Sequence, residues 1–165
     1  MKHIKTYSKL FESIDTIIQD LNDILLELND ENFNIRIGSI NHHAYPNALD
    51  ITISKDGGNF DFWTERNIGE LTPFTFGEVK EYLLRVLSYA KSERWHDFNF
   101  EIVTGEQLHQ CLDSKSFNDG TYKTTVKIKD DEVVNSYYSF KTHVETDTPI
   151  TDDVKILCVY IGLCK

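Results

Sequence analysis

The chain has 165 residues and 19.2 kDa, enough for one domain, residues 1–165, with a real core. Apolar residues make up 40% and charged residues 27%, a composition that excludes the disordered class. Lys and Arg number 17 against 27 Asp and Glu, and the resulting charge of −10 opposes phosphate backbones and anionic lipid, so a protein partner with a basic or neutral face is expected in place of nucleic acid or membrane.

The first element is a long N-terminal amphipathic helix, about residues 4–30. Ile4, Tyr7, Phe11, Ile14, Ile18, Leu21, Leu25 and Leu28 fall at alternating steps of three and four, a heptad seam. Leu10, Ile17 and Ile24 widen it beyond what a two-stranded coiled coil needs, which favours packing on a sheet over a homo-oligomer joined through this helix. Glu12, Asp15, Asp20, Asp23 and Glu27 form its solvated side.

Beyond "NDEN" the apolar period drops to two. Phe33, Ile35 and Ile37 mark a strand, and "LDITIS" marks a second. "KDGGN" then predicts a hairpin into a third strand, "FDFWTE", because Asp-Gly and Gly-Gly supply the positive φ of tight turns. The intervening "NHHAYPNALD" reads as a solvated loop.

A second helix is signposted by Thr75 as N-cap, Glu78 completing a capping box and Phe74 stapling to Val79. Val79, Leu83, Val86, Leu87 and Ala90 give it one apolar face. "FNFEIV" alternates as a strand, and "TGEQLHQCL" reads as a short helix capped by Thr104. "YKTTVKI" and "VVNSYYSFKTHV" form a hairpin; a three-residue loop would set Val126 against Ser136 and Ile128 against Val134. Lys123, Lys127 and Lys129 on one side of the first arm read as an edge-strand guard. The acidic stretch 145–153 reads as a connection, and the last strand, Val154–Leu163, is apolar on both faces and belongs at the sheet's centre or under a helix. The expected fold is α+β: a mostly antiparallel sheet of about six to seven strands, with the N-terminal helix and a second helix packed on it.

Chemistry-bearing motifs are weak. His42 and His43 are candidate metal ligands or bases, but neighbouring side chains on extended backbone point to opposite sides. His96 beside Asp97 could form a base and its orienter, yet no nucleophile is tied to them. No cofactor and no metal is expected, and the enzymatic alternative is a small metal-assisted hydrolase or transferase. Cys111, Cys158 and Cys164 fit no disulfide or zinc framework and read as reduced thiols of a cytoplasmic protein. "FWTER" and "ERWHD" each place a Trp beside an Arg, the residue types that dominate interface hot spots, which makes Trp63, Arg66, Arg94, Trp95 and His96 the binding candidates. Trp63 is out of phase with Phe60 and Phe62, so that if those two face the core it faces out or under a covering element.

The opening "MKHIKTYSKLFES", through Lys5, Thr6, Tyr7 and Phe11, resembles an N-terminal stretch of small accessory proteins of large tailed bacteriophages and is similar to capsid-targeting leaders of internal head proteins. The resemblance implies a phage-encoded protein in the host cytoplasm. Together the features predict a non-enzymatic acidic binding protein that inhibits or modulates a host or viral protein, such as a defence enzyme; a virion or oligomeric structural component assembled through the N-terminal helix is the structural alternative.

Overall fold

A computed structural model describes residues 14–42, 45–56, 60–64, 66, 70–105, 115–118, 121–139 and 144–165. Helix α1 (Ile14–Asp30) is followed by β1 (Phe33–His42), β2 (Tyr45–Lys55), the two-residue β3 (Phe74–Thr75) and α2 (Gly77–Ser92). Then come β4 (His96–Gly105), β5 (Lys115–Asn118), β6 (Thr121–Lys129), β7 (Glu132–Ser139), β8 (Val144–Pro149) and β9 (Lys155–Cys164). The strand order is β1-β2-β9-β4-β6-β7-β8, with β3 on β9 and β5 on β6, and every pairing among the described residues is antiparallel. The α+β class with its antiparallel sheet and N-terminal helix is therefore the observed one.

Both helices lie on one face of the sheet. Ile17, Leu21, Leu25 and Leu28 of α1 and Val79, Leu83, Val86 and Ala90 of α2 are buried in one cluster with Leu49, Ile51 and Ile53 of β2 and Val159, Ile161 and Leu163 of β9. Ile14 and Ile18 pack at the margin of this cluster, whereas Ile4, Tyr7 and Phe11 lie outside the described residues. The Tyr82 hydroxyl donates to Glu27 at 2.9 Å and the Tyr89 hydroxyl donates to Asp20, so the helices run antiparallel with α1's acidic side tied to α2. No helix among the described residues is long and apolar enough to cross a membrane.

The start of α2 shows half of the expected capping box. Glu78 reaches back to accept from the Thr75 backbone N–H at 2.7 Å, and this bond chiefly holds its carboxyl below the usual range. The Thr75 hydroxyl, however, donates to the same carboxylate at 2.9 Å, and the Phe76 carbonyl accepts the first helical bonds. Thr75 belongs instead to β3. The other end of α2 closes with Arg94 at φ 64°, its N–H bonded to Lys91 O and the Trp95 N–H bonded to Ala90 O, the paired bonds of a Schellman motif.

Several expectations are corrected. "FDFWTE" supplies no strand over its described residues 60–64, where Asp61 bridges Arg66 across a turn, because β2 pairs with β1 on one side and β9 on the other and leaves no edge for it. The histidine segment is no loop: β1 runs to His42 and β2 starts at Tyr45, with His43 outside the described residues. The β6–β7 hairpin turns on two residues, Asp130 and Asp131, both at positive φ, so Val126 faces Asn135 and Ile128 faces Val133, one residue off the expected register. "VVNSYYSFKTHV" is divided between β7 and β8, and β8 takes in most of the acidic stretch read as a connection. Lys123 is paired on both sides, with Val103 of β4 and Lys115 of β5, and so guards no edge, whereas Lys127 and Lys129 pair with β7. Thr104 lies in β4, and the rest of the expected short helix falls outside the described residues. The last strand is central, as its two apolar faces require.

Candidate binding face

Residues directly opposite one another in antiparallel strands share a face. On the face away from the helices, Arg36, Thr52, Tyr160, Glu101 and Thr125 form one row across β1, β2, β9, β4 and β6. The neighbouring row runs Gly38, Asp50, Gly162 and Asn99. A face alternating with a buried core is expected to be polar, and these two rows are, Tyr160 excepted. Its middle is covered by a second apolar cluster, in which Phe60, Phe62 and Leu71 pack with Val103, Cys158 and Tyr160.

Aromatic rings hold the covering turn in place. Phe62 stacks on Tyr160 with ring centroids 4.2 Å apart, and Trp63 stands edge-on to both, 5.6 Å from Phe62 and 5.1 Å from Tyr160. The Asp61 carboxylate accepts from the Thr64 N–H at 2.8 Å, and the Arg36 guanidinium donates to the Phe60 carbonyl. Trp63 also shares a side-chain hydrogen bond with Asp50. Gly162 is required where it stands: a Cβ there would come within 2.6 Å of the Phe98 ring, which lies across it and stacks on Tyr45 at 4.6 Å.

Burial acts strongly on the ionisable groups here. Loss of solvent is the largest influence on Asp50 and raises its carboxyl above the usual range, with Asp61 adding to the rise and Arg36 and Trp63 opposing it. Tyr160 is fully buried, and its phenol is pushed up first by that burial and then by the Asp50 and Glu101 carboxylates. Its hydroxyl has no hydrogen-bond partner among the described residues. Glu101, 9% exposed, accepts from the Asn99 side-chain amide at 2.9 Å.

The candidates read from sequence are separated by the sheet. Trp63 is 55% exposed, on a turn and not on the strand that its phase assumes, and Arg66 is also exposed. Trp95 lies in the core on the helix side, 3% exposed, and the phase of its segment is set by the helix cap rather than by a surface role. Arg94 is exposed at that cap, and His96 is exposed at the start of β4. His96 lines an open groove of about 1100 Å³ with Leu87, Trp95, Asp97, Lys127 and Ile128. Among the described residues no three His, Cys, Asp or Glu side chains are grouped to hold a metal ion. Sequence reasoning missed Asp50, Glu101 and Tyr160; the only signal was a carboxylate inside each of the strands "LDITIS" and "FNFEIV".

Comparison of the chain with protein-family models, with curated proteins and with solved structures finds no match in any of the three.

Proposed function

We propose that the protein is a non-enzymatic binding module that engages a basic or neutral protein partner through the face carrying Trp63, and modulates that partner by covering part of its surface. The observation that carries this reading is the state of Trp63 itself, 55% exposed yet braced by Phe62, Tyr160 and Asp50. An aromatic side chain fixed in advance loses little conformational freedom on binding, which is what an interface anchor needs. The charge of −10 supports attraction to a basic face. The likeness of the opening residues to tailed-phage accessory proteins supports a host or viral protein as the target.

Tagged protein is expected to retain a stoichiometric partner from bacterial lysate at moderate salt. Trp63→Ala weakens that complex by about 2 kcal/mol or more, the range of a hot-spot residue. Leu26→Ser, at an equally exposed position on α1, leaves it intact. Equal loss in both variants, or none in either, removes Trp63 as the anchor.

A further inference from the structure

The sheet face under Trp63 has a feature that a flat aromatic anchor does not need. The Tyr160 hydroxyl is fully buried and makes no hydrogen bond to any described residue, although a phenol that has lost its water ordinarily finds a partner. Leaving it unmatched costs free energy that a phenylalanine at the same place would not incur. Thr52 and Glu101 flank Tyr160 in register, and Asp50 lies one row away on β2. The charges that act on the hydroxyl are the carboxylates of Asp50 and Glu101, while the Arg36 guanidinium acts on Asp50 and donates to the Phe60 carbonyl. Two carboxylates and an unmatched phenol therefore share one face of the sheet beside an exposed indole.

We infer that this place receives the guanidinium of one arginine from the partner, its planar head among the Asp50 carboxylate, the Glu101 carboxylate and the Tyr160 oxygen, and its stem along Trp63. Three acceptors suit a group that presents five N–H donors in a fixed plane, and the indole supplies the surface on which such a plane stacks. Phe62 and Trp63 pack against the Tyr160 ring and form the wall along which the stem lies. This inference rests on the binding-module reading and names the chemistry that module recognises.

The test uses the full chain and two small probes of the same shape, N-acetyl-L-arginine amide and its uncharged isostere N-acetyl-L-citrulline amide. The indole N–H resonance of Trp63 is followed by NMR during titration. The arginine probe is expected to shift it saturably, with a dissociation constant on the order of 1–10 mM for a single side chain, and the citrulline probe to bind at least about five-fold more weakly. Tyr160→Phe, which changes one buried atom, weakens the arginine probe by about five-fold or more while the thermal midpoint holds or rises. Asp50→Asn weakens it similarly. Equal response to both probes, or an unchanged constant in Tyr160→Phe, overturns the arginine site. The same Tyr160→Phe protein separates the two claims in partner capture. A partner lost with Trp63→Ala but kept with Tyr160→Phe leaves the module standing and removes the arginine site; a partner indifferent to both removes both.

Discussion

Asp50 shows how one half-buried carboxylate can oppose the fold while serving a surface. Its pKa is raised above 3.8 in the folded chain, chiefly by burial. The native state therefore binds the proton more tightly than the unfolded state does, and this group's contribution to stability rises as pH falls through the folded value. At neutral pH the charged carboxylate is a burden. Asp50→Asn, whose amide oxygen can still accept from Trp63, is expected to melt above the parent at pH 7. That difference should vanish below about 3.8, where Asp is protonated in both states; a variant that melts lower at every pH would show that the carboxylate is structurally required. Arg94 presents a different cost, a left-handed backbone at φ 64° on a side chain that gains nothing from it. Arg94→Gly should raise stability by about 0.5–1 kcal/mol in urea unfolding. Neither site was legible from the residues alone. Asp50 alternates with apolar neighbours as any solvent-facing strand residue does, and the Arg-Trp pair that suggested a binding surface is instead a cap followed by a core residue.

At the scale of elements, local signals read well and long-range ones did not. The α1 stripe was legible because one helix face carries its apolar residues other than Leu26, and Leu21, Leu25 and Leu28 are each fully buried against the sheet. Leu21→Ala is accordingly expected to cost about 2–5 kcal/mol, with a melting midpoint independent of protein concentration. A midpoint that climbs with concentration would restore the helix as an interface between copies. The start of α2 was legible because Thr75, Glu78 and Phe74 lie within one turn of it. The turn at 60–64 was not, since Asp-Gly-Gly after a strand favours a hairpin locally, and what displaces the hairpin is a strand 100 residues further along the chain that occupies the free side of β2. The β6–β7 register failed for a smaller reason: Asp at both turn positions tolerates the left-handed backbone usually left to Asn-Gly, which shortens the loop by one residue.

For the molecule as a whole, the two tryptophans divide the labour of the sheet. Trp95 helps bind the helices to one side, and Trp63 marks the other side as the one presented outward. The position of β9 has a consequence for the order in which the fold can assemble. Ala48 pairs with Cys164 and Val103 with Cys158, so β2 and β4 meet only through a strand made long after both. Contacts of such sequence separation must close large loops before they return any energy, which places refolding in the slow range of milliseconds to seconds. A chain stopped before Lys155 would carry α1 and the β1–β2 hairpin with β2's other edge unsatisfied, an adhesive intermediate rather than a smaller stable fold. It should show no cooperative melt, and adding residues 155–164 in trans as a peptide should restore one.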